Sequence, residues 1–163
     1  MKWKKNKSGF TIIEALVSIA VIVAVFTAVL GFSVLKNRVD YRNQTKIKAI
    51  FLAEEALEAV HNFRGNTEWL TSGISIFIPD IVYHPVKNSS GWDIVAGAEN
   101  INGFTRTIIF SRVSRDTNKN IESNYNPAND DPDTKKLLVT VNWNDRYGLA
   151  SESLTTYITN WKQ

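Results

Sequence analysis

The chain of 163 residues contains no cysteine. This absence excludes disulfide bonds, thiolate metal sites and cysteine nucleophiles from the functions to be considered. Small exported domains often rely on disulfides for stability, so an exported form of this chain would depend on its hydrophobic core alone.

Proline and charge are both scarce in the first part of the sequence. None of the four prolines precedes Pro79, so no proline breaks a helix in that part. Residues 15–35 carry no charge over 21 positions, which at 1.5 Å per helical residue is enough to cross a hydrocarbon core of about 30 Å. About 125 residues follow, a suitable size for one globular domain.

Acidic residues are absent from the first nine positions, where Lys2, Lys4, Lys5 and Lys7 provide four positive charges. Without those lysines, 15 basic residues stand against 16 acidic ones, a net charge of −1 for residues 10–163. The overall charge of +3 therefore does not indicate a nucleic-acid partner. Basic residues before an apolar span favour a cytoplasmic N-terminus, so the remainder of the chain is expected on the far side of the membrane.

The order of the N-terminal parts differs from that of an ordinary secretory signal, which is cleaved after its apolar region. No A-x-A-like site is found around residues 28–31, whereas Gly9 lies between the basic leader and the apolar run. Glu14 lies inside that run, where a carboxylate costs about 2.5–3.5 kcal/mol on insertion scales. It is either placed in the headgroup region or neutralised by the new amine that cleavage after Gly9 would create on Phe10.

The sequence Gly9-Phe10-Thr11-Ile12-Ile13-Glu14-Ala15-Leu16-Val17 resembles the class III signal of type IV pilins and pseudopilins. The resemblance implies that a prepilin peptidase cleaves between Gly9 and Phe10, that Phe10 is N-methylated, and that Glu14 acts in filament assembly. Residues 51–60 and 136–143 are similar to segments of minor pilins and minor pseudopilins of the V/I type. The chain lacks the C-terminal disulfide loop that many adhesive major pilins carry, which favours a minor subunit or a secretion pseudopilin.

The pattern predicts one helix from Phe10 to Arg64, with Gly65 suited to a left-handed cap. Its apolar face after the membrane segment is predicted to contain Ile47, Ile50, Phe51, Leu57 and Val60. The adjacent alanines favour the helix, and Glu54, Glu55 and Glu58 mark a solvated side.

An irregular connection with one or two strands is predicted for residues 66–103, where glycine and proline are frequent. Strands are predicted at 104–113, 137–143 and 149–159, with a turn at 144–148 and a long polar loop at 114–136. The expected fold is α+β, with a small antiparallel sheet packed on the helix. The expected segments are a cleaved leader at 1–9, a transmembrane and assembly helix at 10–35, an amphipathic helix at 36–65, and a β-rich head at 66–163.

These features predict a non-enzymatic structural subunit without a cofactor or a metal site. Its expected partners are a prepilin peptidase, other pilin or pseudopilin subunits, an inner-membrane assembly platform and membrane lipid, with nucleic acid not expected as a direct ligand. It would reside in a bacterial inner membrane and then in a filament at the cell surface or in the periplasm. The alternative is a tethered periplasmic or extracellular binding or enzymatic domain, with residues 1–35 acting as a signal anchor. Two questions stay open, namely which filament is involved and whether the acidic loop at 126–133 binds calcium.

Overall fold

The computed structural model describes residues 11–146 and 148–161. Two compact units are present, Met1–Asn43 and Gln44–Gln163. The helix α1 extends from Ile12 to Asn66 and so contributes residues to both. It continues through Gly65, which has no left-handed backbone, so the predicted end at Arg64 with a glycine cap was wrong.

Six antiparallel strands form one sheet in the second unit. Their spatial order is β2-β1-β4-β5-β6, and the short strand β3 pairs with another part of β4. The strand bounds are β1 Val82–Asn88, β2 Gly91–Ala96, β3 Glu99–Ile101, β4 Phe104–Ser114, β5 Asp130–Asp145 and β6 Gly148–Thr159. Helix α1 packs on this sheet, which confirms the predicted α+β fold.

Two regions contain more strand than the sequence pattern predicted. The 66–103 connection holds three strands rather than one or two, together with a 3-10 turn at Ile74–Ile76. Strand β5 begins at Asp130, so the predicted 114–136 loop is too long at its C-terminal end. An irregularity between Arg112 and Ser114 shifts the β4–β5 register, and pairing resumes at Ser114 with Asp130. Such a shift lets two strands of unequal length remain paired. It does not produce a recognisable change in the alternation of apolar and polar residues, so the sequence pattern does not predict it.

Alanines form the contact face of the helix in the second unit. Ala49, Ala53 and Ala56 are fully buried, and Val60 and Phe63 continue the same face toward the helix end. Ile47 and Phe51 were predicted on the buried side but are 51% and 64% exposed. A small side chain lets the helix axis approach the sheet closely, so volume matching outweighs side-chain hydrophobicity at this contact.

The sheet contributes its inward-facing residues to the same core. Val139, Val141 and Trp143 all point inward on β5, as their alternation predicted. Phe77, from the segment before β1, stacks on Phe110 of β4 with ring centroids 4.8 Å apart. Its contact anchors the irregular connection to the core, because offset aromatic pairs add stabilisation beyond buried area.

A buried arginine joins three elements on the helix-facing side of the sheet. The Arg106 side chain on β4 is 2% exposed. Its Nη1 donates to Glu55 Oε2 at 3.0 Å and to the carbonyl oxygen of Leu52 at 2.9 Å, both on α1. Its Nη2 and Nε donate to Glu99 Oε2 on β3 at 2.6 and 3.1 Å. A buried guanidinium requires such partners, and here they fasten the helix, β3 and β4 to one another.

Candidate functional site

The first turn of α1 contains the carboxylate that the sequence singled out. Thr11 precedes the helix, and its Oγ1 accepts a hydrogen bond from the backbone N–H of Glu14 at 3.3 Å. The Ala15 N–H donates to the Thr11 carbonyl at 3.1 Å, which closes the first helical turn. Thr11 is thus the N-cap residue, and Glu14 occupies the third helical position of a Ser/Thr-x-x-Glu sequence.

This position gives Glu14 a local role besides the predicted assembly role. A negative side chain in the first turn is stabilised by the partial positive charge of the helix N-terminus. The Thr11–Glu14 spacing of a capping box was visible in the sequence and was missed there. The Glu14 side chain is exposed in the described structure, so it is accessible to a group on another chain.

The apolar part of α1 is not covered by other described residues of the chain. From Thr11 to Gln44 every side chain except that of Ala15 is exposed. Large apolar residues are distributed all round, for example Leu16, Phe26 and Phe32 at 63%, 65% and 74% exposure. A helix that is apolar on every side requires lipid or other protein around it, because exposing so much apolar surface to water has a high free-energy cost.

Three hydroxyl groups interrupt the apolar run, and each is satisfied inside the helix. Ser18 donates to the Glu14 carbonyl at 2.7 Å, Thr27 to the Val23 carbonyl at 2.8 Å, and Ser33 to the Val29 carbonyl at 3.0 Å. An unsatisfied polar group in hydrocarbon costs several kcal/mol, and hydrogen bonds four residues back avoid that cost. An 18-residue window of α1 has a mean hydropathy of 2.7, so the helix is apolar and long enough to span a bilayer.

Gly9 and Phe10, the predicted cleavage and methylation residues, lie outside the described residues. Residues 4–30 of the chain match a protein-family model described as the prokaryotic N-terminal methylation motif. The match covers the leader from residue 4 onward, the glycine, the cap and the first part of α1. The N-terminal region of this chain therefore carries a prepilin-type methylation motif.

The similarity found for this chain is limited to the motif at residues 4–30. Neither a search of curated proteins nor a search of solved structures finds a match to the chain. The motif and the apolar helix that follows it support membrane anchoring and pilus assembly through the N-terminal region. A motif of this type implies processing by a prepilin peptidase and assembly with other pilins.

The carboxylates in and beside the acidic loop accept hydrogen bonds from nearby residues of the chain. Asp116 accepts from the backbone N–H groups of Asn118 and Asn120 at 2.9 and 2.8 Å. Asp131 accepts from Arg115 Nε at 2.6 Å, and Asp130 accepts from the Tyr125 hydroxyl at 2.9 Å. Among residues 11–146 and 148–161, no group of three or more His, Cys, Asp or Glu side chains is arranged to hold a metal ion.

Proposed function

We propose that the chain is a minor subunit of a type IV pilus or of a type II secretion pseudopilus. The supporting observation is the methylation motif at residues 4–30, followed directly by an exposed apolar helix that begins at Ile12. A prepilin peptidase removes residues 1–9 and methylates Phe10. The helix first holds the subunit in the bilayer, and it then packs among other subunit helices in the filament core.

Glu14 sets the position of the subunit in that core. After cleavage, Phe10 carries a positively charged amine close to the first turn of the helix. A carboxylate in a low-dielectric filament core requires a positive partner, and the amine of a neighbouring subunit provides one. Because the pairing distance is short, it also determines the axial offset between adjacent helices.

The four lysines of the leader orient the subunit before cleavage. They hold the N-terminus on the cytoplasmic side of the inner membrane, so that the β-rich head is exported. The segments 1–9, 10–35, 36–65 and 66–163 then act as leader, anchor, amphipathic connector and head. An inner-membrane platform with its own ATPase moves the subunit from the bilayer into the filament.

The mature mass tests the processing step. In cells that contain the peptidase, the purified chain is expected to lack residues 1–9 and to carry one additional methyl group at Phe10. The same chain from peptidase-deficient cells is expected to keep its leader, and it provides the control. A chain that retains residues 1–9 in peptidase-containing cells would show that the segment is a simple signal anchor.

The role of Glu14 is tested by separating its charge from its place in the helix cap. Glu14→Gln preserves a capping-box residue and removes the charge. We expect this variant to be cleaved and membrane-bound but to enter sheared filaments poorly, and Glu14→Val to behave in the same way. Thr11→Ser, which retains the cap acceptor and the charge, serves as the matched control. Normal incorporation of Glu14→Gln would contradict the assembly role.

A further inference from the structure

Two cations lie side by side where the helix-facing side of the sheet reaches the margin of the core. Phe110 on β4 and Leu137 on β5 are directly opposite each other on this side, and both are fully buried. Two residues away on each strand, the same register places Arg112 opposite Lys135. Side chains alternate between the two faces of a sheet, so both cations point to the same side as the buried pair.

Lys135 is nearly buried, although lysine normally keeps its charged group in water. The residue is 8% exposed, and Ile158, which lies opposite it on β6, is 2% exposed. The 3-10 turn at Ile74–Ile76 also contacts β5. Burial lowers the pKa of Lys135, and the charge of Arg112 lowers it further, because both disfavour the ammonium form.

The negative charge near these two cations does not balance them. Among the described residues, Asp130 is the carboxylate whose charge acts on both. Its Oδ1 accepts a hydrogen bond from the Tyr125 hydroxyl at 2.9 Å, and the Tyr125 oxygen accepts one from Arg112. Within the described part of the chain, no carboxylate oxygen lies within 4 Å of the side-chain nitrogens of Arg112 or Lys135. One carboxylate therefore faces two cations, and one positive charge has no counter-charge.

The two cations offer the hydrogen-bond donors that an oxyanion requires. A guanidinium has five N–H donors in a planar fork, and an ammonium has three. The hydrogen bond to Tyr125 uses part of the Arg112 fork, and Lys135 Nζ donates to no described residue. Arg112 is exposed, so a solute reaches this position from water. A planar fork beside a point charge suits both phosphate and carboxylate oxygens.

We propose that Arg112 and Lys135 form a binding site for a small oxyanion, a phosphate or a carboxylate group. The bound oxygens accept hydrogen bonds from the Arg112 fork and from Lys135 Nζ. Together with Asp130, the bound anion supplies a negative charge for each cation. It also offsets the repulsion between like charges that are directly opposite in a sheet. The site lies in the β-rich head, and the inference does not depend on the proposed filament role.

Thermal unfolding of the mature chain in a non-ionic detergent tests the site. Inorganic phosphate and acetate are each titrated against chloride at constant pH and ionic strength. At about four times its dissociation constant, a bound anion should raise the unfolding midpoint by about 2–4 °C. The anion that acts at the lower concentration identifies the preferred group. Equal midpoints in phosphate, acetate and chloride would overturn the proposal.

Two variants separate binding at this site from the general stabilisation that phosphate gives by exclusion from protein surfaces. Lys135→Met removes the ammonium and keeps an unbranched side chain, and Arg112→Gln removes the guanidinium. Each should raise the dissociation constant of the preferred anion roughly tenfold or more. Lys136→Met is the matched control, because it removes one charge from the opposite face of the same strand and from an exposed position. Its dissociation constant should equal that of the wild type.

Arg112→Gln tests the site even where Lys135→Met alters the fold, since Arg112 is exposed. An equal anion response in the wild type, Arg112→Gln and Lys136→Met would show general stabilisation alone and overturn the site. Nuclear magnetic resonance of the wild-type chain locates the bound anion. The amide resonances of Arg112 and Lys135 should shift with the concentration dependence of the midpoint, whereas that of Lys46, which is paired with Glu152, should not. Shifts confined to other parts of the head would contradict the assignment.

Discussion

At the scale of single residues, Arg106 connects the helix to the sheet. Its guanidinium is almost fully buried, whereas Glu55 and Glu99 keep 46% and 29% of their side chains exposed. Loss of the arginine therefore leaves carboxylates that water still reaches, and the cost should lie below that of breaking a fully buried pair. The carbonyl of Leu52 also loses its donor.

We predict that Arg106→Met destabilises the chain by about 2–3 kcal/mol, because the methionine fills part of the volume but replaces none of the four hydrogen bonds. Chemical unfolding in detergent, followed by tryptophan fluorescence, measures the change. Arg146→Met, at an exposed position, should leave the unfolding midpoint unchanged. Equal midpoints for Arg106→Met and the wild type would show that the network contributes no net stability.

Arg106 also shows what the sequence pattern could and could not reveal. Arg106 lies two residues from Phe104 and two from Ile108, so the alternation along β4 places it on the inward side. A search for apolar residues alone overlooks this position, because its residue is basic. A basic residue at an inward strand position predicts a buried ion pair, but not which carboxylates take part. Glu55 and Glu99 are 51 and 7 residues away in sequence, and only the fold brings them together.

At the scale of elements, the small volume of the alanine side chains determines which face of α1 packs on the sheet. Ala53 is fully buried and Phe51, two positions earlier, is 64% exposed. We predict that Ala53→Leu destabilises the chain by about 1–3 kcal/mol, since the larger side chain pushes the helix from the sheet. Phe51→Ala should change stability by about 0.5 kcal/mol or less. Thermal unfolding of both variants measures these changes in stability. A larger loss of stability from Phe51→Ala than from Ala53→Leu would show that Phe51, and not Ala53, lies on the face packed against the sheet.

The long loop before β5 is predicted to weaken in acid. Burial opposes ionisation of Asp131, but hydrogen bonds from Thr134, Arg115 and the Asp133 amide outweigh it and hold the pKa of Asp131 below its ordinary value of 3.8. A carboxyl with a depressed folded pKa contributes stability that is present above its unfolded pKa and is lost as pH falls through the folded value.

Protection of the loop amides, measured as exchange relative to the intrinsic rate at each pH, should therefore fall below about pH 4, the ordinary range of aspartate titration. Asp131→Asn should accelerate exchange already at neutral pH and remove part of the acid dependence. Asp145 is in another part of the sheet, so Asp145→Asn is a suitable control for the loss of one charge. An Asp131→Asn variant with the wild-type pH profile would show that another group controls the loop.

The strongest periodic elements were predictable, and the irregular ones were not. The α1 helix, β4 and the β5–β6 hairpin carry long local patterns, and the structure confirms them. Strands β1 to β3 have three to seven residues each, and β1 includes Pro85. Short segments and proline have a low local preference for strand, so the sequence pattern did not predict all three. They form because Phe77 and Tyr83 anchor them to Phe110, a contact between distant parts of the sequence.

At the scale of the whole molecule, the charge pattern predicts which side of a membrane the head occupies. All four leader charges precede the apolar helix, and the remaining chain is close to neutral. The positive-inside rule then predicts a cytoplasmic leader and an exported head. The cysteine-free sequence allows this to be measured with single introduced thiols.

Ser123→Cys places a thiol at an exposed position of the head loop, and Asn6→Cys places one in the leader. In peptidase-deficient spheroplasts, a membrane-impermeant maleimide should label Ser123→Cys and leave Asn6→Cys unlabelled until the membrane is permeabilised. Replacing Lys2, Lys4, Lys5 and Lys7 with glutamine should reduce labelling of Ser123→Cys, because the signal that orients the helix is lost. Full labelling of Asn6→Cys in intact spheroplasts would place the leader outside, where a cytoplasmic-side peptidase could not reach Gly9.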